Sequence, residues 1–378
     1  MGRIRQMDTQ GVGPQLRYRR IAEMSSQERT VLVIGATGMI GRYFTDHART
    51  LSGWKAVGVS RRKPDEVAEG DWLAVDLLDR DAAIAAIRTR PDITDVLYAG
   101  YVHGSGWQTE TEANTALLAN AMAGLTESGA RLNRVVLMQG QKYYGSHLGP
   151  FRTPSRESDP RHIPPNFYYD QQDLLVEAQK GEEWTWTCLR PHTVCGVASG
   201  SPLNIISVVG AYATIMRELS LPLKFPGSPK AFSAVYQATD ARLLCRAIQW
   251  TIENPECGNQ AFNITNGDFF RWENLWPRIA SHFGMEAGRL QDVRLEKVMA
   301  DKGPLWRDII ARHGLRAIEL EQLVTWSFGD YVFHTDWDVM ASTTKARQFG
   351  FVDCLDTEDM FIEILTQMQD RRFIPHYS

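Results

Sequence analysis

Residues 30–41 constrain this chain more than any other stretch. Thr30-Val31-Leu32-Val33-Ile34 is a short β-branched apolar run, the pattern of a strand buried on both faces, and it runs directly into Gly35-Ala36-Thr37-Gly38-Met39-Ile40-Gly41. Apolar residues then recur at Ile40, Tyr43, Phe44 and Ala48, the spacing of an amphipathic helix. Strand, glycine turn and helix in that order give each glycine its own task. Gly35 permits the tight turn, Gly38 lets a pyrophosphate approach the backbone, and Gly41 lets helix and strand pack closely. The unpaired N–H groups at the helix start favour phosphate, so Thr37, Met39 and Ile40 join the three glycines as candidate cofactor-binding residues.

The next strand reads Trp54-Lys55-Ala56-Val57-Gly58-Val59. An NAD enzyme places an acidic residue about 20 positions after the glycines, to hold the ribose hydroxyls. Here that place holds Ser60-Arg61-Arg62-Lys63, with no carboxylate. Ser60 and two guanidiniums suit a 2′-phosphate, which selects NADP(H) over NAD(H). Further units alternate. Asp71 to Leu77 reads as a strand whose end, Asp76 and Leu77, borders adenine; Asp79 to Ile87 reads as helix. Val96 to Gly100, Val135 to Met138 and Trp184 to Pro191 read as strands, with a helix from about Thr111 to Leu125 between the first two. Strands separated by helices imply a doubly wound parallel sheet of the Rossmann α/β type, with ligands at the carboxyl ends of the strands.

Protons beside a nicotinamide need a residue to handle them. Standard short-chain dehydrogenases carry tyrosine and lysine four apart on one helix, and no tyrosine here has a lysine four residues later. Two segments offer another arrangement. Lys142 follows the fifth strand in Gln139-Gly140-Gln141-Lys142-Tyr143-Tyr144-Gly145, and Tyr168 lies at the start of a helix in Asn166-Phe167-Tyr168-Tyr169-Asp170-Gln171-Gln172-Asp173.

With these stretches the chain resembles the progesterone 5β-reductase / iridoid synthase family, an atypical group of extended short-chain dehydrogenases. Ser60 to Pro64, Gly149-Pro150-Phe151, Arg190-Pro191, Asn266-Gly267-Asp268 and Leu275-Trp276-Pro277 carry the resemblance too, and Asn166-Phe167-Tyr168-Tyr169 is its most specific piece. The resemblance implies that Lys142 and Tyr168 are the catalytic pair and also meet the cofactor, in preference to Tyr169. It implies NADPH-dependent reduction of a C=C bond conjugated to a carbonyl, an enone or enal, with Tyr168 stabilising the enolate oxygen. It places Phe151 over the nicotinamide. After the sixth strand, the His192-Thr193-Val194 backbone is expected near the nicotinamide amide, with Pro191, Thr193 and Val194 as candidate cofactor-binding residues. Between Lys142 and Gly149 the connection Tyr143 to Leu148 is longer than in the plant members, and it carries His147, which reads as a solvated loop residue.

Beyond the sheet, Asn204 opens a helix running through Tyr212 and Met216, and is expected at the substrate. Leu221 to Ser233, with Pro222, Pro226 and Pro229, reads as an irregular crossing loop. Aromatics crowd residues 270–350, among them Trp272, Trp276, Phe283, Trp306, Trp326, Tyr331, Phe333 and Trp337, as a pocket wall and helical core. Phe351 is expected to reach the pocket by family analogy. The organisation expected is a mobile tail over 1–29, an NADP-binding core over 30–200, and a mostly helical substrate-binding cap over 201–378 with segments returning to the core.

Composition removes other classes. Across 378 residues, 41 Lys and Arg face 45 Asp and Glu, which lacks the basic excess of a nucleic-acid binder. No apolar run approaches the ~18 residues of a membrane span. Five cysteines without C-x-x-C spacing argue against a disulfide framework or zinc site and fit reduced thiols in the cytoplasm. No histidine pair is spaced as local metal ligands, so no metal is expected. A homodimer suits such a fold, with no residue marking its interface. Two other functions share the cofactor end: an extended-type carbonyl reductase or epimerase, which the missing tyrosine–lysine spacing disfavours, and a non-enzymatic NADP(H)-binding regulator.

Overall fold

The computed structural model describes residues 28–64, 70–198 and 203–377, so residues 1–27 of the expected tail lie outside it. Along the chain run β1 (Arg29–Ile34), α1 (Met39–Arg49), β2 (Trp54–Ser60), β3 (Trp72–Ala74), α2 (Arg80–Ile87), β4 (Asp95–Tyr98), α3 (Trp107–Ser128), β5 (Arg134–Met138), α4 (Phe167–Ala178) and β6 (Thr185–Pro191). Then follow β7 (Val194–Cys195), α5 (Ile205–Glu218), α6 (Pro229–Ser233), β8 (Thr239–Asp240), α7 (Ala241–Glu253), β9 (Gln260–Ile264), α8 (Trp272–His282) and further helices to Asp370.

Seven strands form one sheet in the order β3-β2-β1-β4-β5-β6-β9, every neighbouring pair parallel. The order reverses direction between β1 and β4, which opens a crevice at the carboxyl ends of those strands. Alternate residues feed the two faces. Val31 and Val33 pack with Phe44 and Ala48 of α1 and Leu243 and Ile248 of α7. Leu32 and Ile34 pack with Ala83, Ile87, Leu117 and Leu175 of α2, α3 and α4. The Rossmann arrangement expected from the alternation is the one observed.

Three elements differ from the sequence expectation. The strand expected over Asp71 to Leu77 stops at Ala74, because Asp76 folds into a turn in which its Oδ1 accepts the Leu78 N–H at 3.0 Å. The sheet has a seventh strand, β9, for which the apolar pattern gives no strand signal. The end of the Leu221–Ser233 stretch is helical: Pro229 opens α6 and Ser228 caps it, its hydroxyl accepting the Ala231 N–H at 3.0 Å.

The cap has its own core. Trp272, Trp276 and Trp306 are each 1% exposed, and Phe225, Phe333 and Phe361 meet the first two largely edge-on. These aromatics fill an interior rather than wall a pocket. Among the described residues, no helix is long and apolar enough to cross a membrane.

Gly41 sets how close α1 lies to β1. A methyl there would fall 2.4 Å from the Gly35 carbonyl oxygen and 2.7 Å from the Ala36 Cα, both backbone atoms that cannot yield locally. Gly41→Ala is expected to lower unfolding free energy by about 2–3 kcal/mol, read as a fall in the urea midpoint; an unchanged midpoint would show that the helix docks without this approach.

Candidate active site

The site is assembled from two segments that meet at the carboxyl end of β5. Beyond Met138, Gln139 and Gly140 lead into a 3-10 turn, Gln141–Tyr144, that presents Lys142. Asn166 caps α4: its Oδ1 accepts the Tyr168 N–H at 3.0 Å, while its Nδ2 donates to the Lys142 carbonyl at 3.0 Å. His162 places its Nε2 2.9 Å from the same carbonyl oxygen. From beneath, Gln139 Nε2 donates to the Tyr168 carbonyl at 2.9 Å, and Gln139 Oε1 accepts from Arg190 Nε at 2.8 Å. Arg190 is buried, its guanidinium 3.3 Å from the Tyr143 ring centroid, and it also donates to the Tyr144 hydroxyl at 2.9 Å. Gln172, four residues after Tyr168, lies 3.3 Å from both Arg190 Nη2 and Gln139 Nε2.

The two candidate tyrosines differ in what their hydroxyls do. The Tyr169 hydroxyl donates to the Tyr143 carbonyl at 2.6 Å and accepts the His162 N–H at 3.0 Å. The Tyr168 hydroxyl has no such partner among the described residues; it rests over Gly140, where a Cβ would lie 3.2 Å from it. Burial pushes the Tyr168 phenol well above its ordinary value, and the nearby negative charge of Glu110 acts in the same direction. Its hydroxyl therefore stays protonated, able to donate. Lys142 is exposed, and it lines one cleft with Tyr168 that opens to solvent.

At the other end of the crevice lies the glycine turn after β1. Gly35 takes φ +81°, and Gly38 caps α1 with extended backbone and no side-chain bond. The first-turn N–H groups therefore remain available to an anion. Thr37 is exposed beside this turn, its carbonyl accepting from Arg42 Nη2 at 3.3 Å; Met39 is buried against Ala198 and Ala241, and Ile40 is half-buried. Arg61 and Arg62 are exposed just past β2, where the Ser60 hydroxyl donates to the Arg62 carbonyl at 2.5 Å. Asp76 is exposed, whereas Leu77 is buried in the sheet core, its carbonyl accepting from Asn120 at 2.8 Å. Pro191 ends β6 with its carbonyl facing Gly140, Thr193 takes φ +40°, and Val194 begins β7. Burial lowers the neighbouring His192 imidazole to about 3, so it is neutral.

The three residues expected at the substrate are placed differently from one another. Phe151 packs on the Tyr143–Tyr144–Tyr169 cluster beside Tyr168. Asn204 is a buried cap whose Oδ1 accepts the Ile206 N–H and whose Nδ2 donates to the Gly196 carbonyl and the Ser207 hydroxyl. Phe351 is buried against Trp250 at a centroid distance of 5.3 Å and lines another cavity, with Asn263 and Arg347. The Tyr168 cleft instead takes Trp107, Glu110 and Phe167, together with His147. His147 is not a solvated loop residue: it is half-buried between Trp107 and His162, each at 5.4 Å. Burial, with Lys142 and His162 nearby, holds it neutral at about 4. The helix that presents Trp107 and Glu110 begins at Trp107, earlier than the apolar pattern marks; the signal was Thr109, whose hydroxyl accepts the Gly106 N–H at 3.1 Å.

Residues 77–375 match the PRISE-like Rossmann-fold domain. The chain is 30% identical over 368 residues to the (S)-8-oxocitronellyl enol synthase of Nepeta racemosa, covering 92% of this chain and 94% of that one. It is 30% identical over 372 residues to the 3-oxo-Delta(4,5)-steroid 5-beta-reductase of Arabidopsis thaliana, covering 93% and 94%. Among solved structures it is similar in fold to the Thermus thermophilus UDP-glucose 4-epimerase in complex with NAD, with a TM-score of 0.63 at 14% identity over 90% of this chain and 99% of that one.

Gly140 is the floor under the Tyr168 hydroxyl. Gly140→Ala is expected to displace that hydroxyl and cut kcat by about tenfold or more, with an unchanged circular-dichroism spectrum. Full turnover in this variant would mean that the position of the phenol is not set there.

Proposed function

Because the chain belongs to the PRISE-like Rossmann-fold family and is thus an oxidoreductase of short-chain dehydrogenase type, we propose that it reduces the C=C bond of an enone or enal with NADPH. One observation carries the reading: a protonated phenol without a hydrogen-bond partner among the described residues and a lysine from a distant segment share one cleft, while the adjacent tyrosine is tied to the backbone.

A nicotinamide dinucleotide held here would supply the hydride for the substrate β-carbon; the π electrons would then move to the carbonyl oxygen, and a proton taken from solvent at the α-carbon would complete the saturated ketone or aldehyde. Tyr168 donates a hydrogen bond to the oxygen on which charge collects, which is worth more in a desolvated site than in water. Lys142 holds the nicotinamide ribose and adds positive potential beside the phenol. Gly35, Thr37, Gly38, Met39, Ile40 and Gly41 cradle the pyrophosphate, and Ser60, Arg61 and Arg62 take the 2′-phosphate. Asp76 and Leu77 border the adenine, the Pro191, Thr193 and Val194 backbone borders the carboxamide, and Phe151 walls the ring. His147, being neutral, is no proton donor of consequence at pH 7, and solvent reaches the open cleft.

A carbonyl reductase or epimerase with the usual helix pair would carry lysine where Gln172 stands, its Oε1 beside Arg190 and Gln139. The products separate the readings. Incubation with NADPH and cyclohex-2-enone is expected to give cyclohexanone; an allylic alcohol would overturn the proposal, and NADPH binding without oxidation of any enone would favour a regulator.

Tyr168→Phe is expected to lower kcat by about 100-fold or more while leaving the Kd for NADPH within about twofold of wild type, measured by fluorescence titration. Equal loss of both would make Tyr168 structural. Arg61→Ala combined with Arg62→Ala should weaken NADPH by about tenfold or more and NADH hardly at all; parallel weakening would remove the phosphate assignment.

A further inference from the structure

The cleft contains a group that the proposed reaction does not want. Glu110 lines it with Tyr168 and Lys142, and its negative charge raises the Tyr168 phenol. A carboxylate there also opposes the charge that builds on an enolate oxygen. Glu110 is half-buried at the first turn of α3, and its carboxylate's one hydrogen bond among the described residues is to Oε1, from the Tyr101 hydroxyl at 3.0 Å. Oε2 is left as an acceptor. Across the same cleft stands neutral His147, whose Nδ1 is buried without a partner among the described residues. Buried or half-buried polar atoms lacking partners fit a ligand that brings its own polar group. Around them Trp107, 55% exposed, and Phe167 present flat apolar faces.

We propose that the cleft takes a cyclic enone bearing a second group that donates a hydrogen bond, a hydroxyl or a protonated amine remote from the reacting carbonyl, and that Glu110 receives it. The ring lies on the aromatic faces, Tyr168 takes the carbonyl oxygen, and Glu110 selects the far end. This rests on the enone-reductase reading and deepens it by naming the substrate class. An occupied Glu110 is also less of an obstacle: a donor bonded to it draws its negative charge away from the enolate, so the same contact that selects the substrate eases its reduction.

The test compares kcat/KM, with NADPH, for three probes: 4-ethylcyclohex-2-enone, 4-(hydroxymethyl)cyclohex-2-enone and 4-(dimethylaminomethyl)cyclohex-2-enone, the last protonated at pH 7. Wild type should prefer at least one donor-bearing probe over the ethyl compound by about tenfold or more. In Glu110→Leu that preference should fall to near one, while kcat for the ethyl compound rises. Glu110→Gln, which keeps the shape, distinguishes the donors: a preference for the hydroxyl survives in part, whereas one for the ammonium is lost. Equal kcat/KM for all three probes in wild type, or a preference that persists in Glu110→Leu, overturns the inference and leaves the reductase reading standing. Should Glu110→Leu not fold, an ammonium preference or a hydroxyl preference wholly undiminished in Glu110→Gln overturns it as well. If wild type reduces none of the probes, this inference falls; the reductase reading falls with it only if cyclohex-2-enone and an open-chain enal are also left unreduced.

Discussion

The Asn166 side chain joins the two halves of the site. One end holds the Lys142 carbonyl and the other holds the Tyr168 N–H, each at 3.0 Å, so a single planar amide fixes the turn after β5 against the start of α4. A helix cap stabilises its helix by about 1 kcal/mol wherever it occurs. This one also sets a distance between residues 24 positions apart in the chain. Tyr169 ties the same two segments by a second route through the Tyr143 carbonyl. Two independent ties make the relation of Lys142 to Tyr168 a property of the backbone, so neither side chain has to be held by the other.

Freedom at the hydroxyl and fixation at the backbone belong together. Oxyanion stabilisation requires a donor that is in place before charge develops and that is not already committed to a protein acceptor. Tyr168 meets both demands: Gln139 and Asn166 grip its peptide groups, and its phenol rests on the bare backbone of Gly140. Arg190 stands behind this grip, buried under Tyr143 and bonded to Gln139. A buried guanidinium without a close carboxylate is costly unless its N–H groups are satisfied. Here Gln139, Gln172 and Tyr144 satisfy it, so the guanidinium can stay charged in the interior behind Gln139.

What the sequence disclosed follows from the range of the interactions involved. The β1–glycine–α1 unit and the strands β2, β4, β5 and β6 were legible because burial on both faces leaves a continuous apolar run and Gly41 answers to a neighbour a few residues away. Lys142 and Tyr168 came together as candidates through motif resemblance rather than spacing, since nothing local says that Asn166 reaches back to Lys142; the structure sets both on one cleft. β9 was not legible: Gln260-Ala261-Phe262-Asn263-Ile264 carries two amide side chains, and it becomes a strand only because β6 lies beside it. Asn204 and Phe351 illustrate the same gap. A capping asparagine and a pocket asparagine look alike in a sequence, and Phe351 found Trp250, a hundred residues earlier in the chain. Glu110 was hidden because an acidic residue in a helix's first turn already has a reason to be there in the macrodipole.

The cap's tryptophan-rich interior bears on where substrate preference is decided. Trp272, Trp276 and Trp306 are locked into their own core, so changing the cleft through them would mean repacking the cap. The cleft is instead bounded by parts that can vary cheaply: Trp107 at the open start of α3, and the Tyr143–Leu148 connection that brings in His147. That connection is nonetheless held, because Trp337 of the cap donates its indole N–H to the Ser146 carbonyl at 3.2 Å. A loop anchored at its middle by the cap, and at its start by Asn166, can change the one residue it contributes to the cleft without disturbing the phenol and lysine below. On the proposed reading, chemistry and selectivity therefore reside in different mechanical parts of this molecule, the first in the sheet edge and the second in the rim above it.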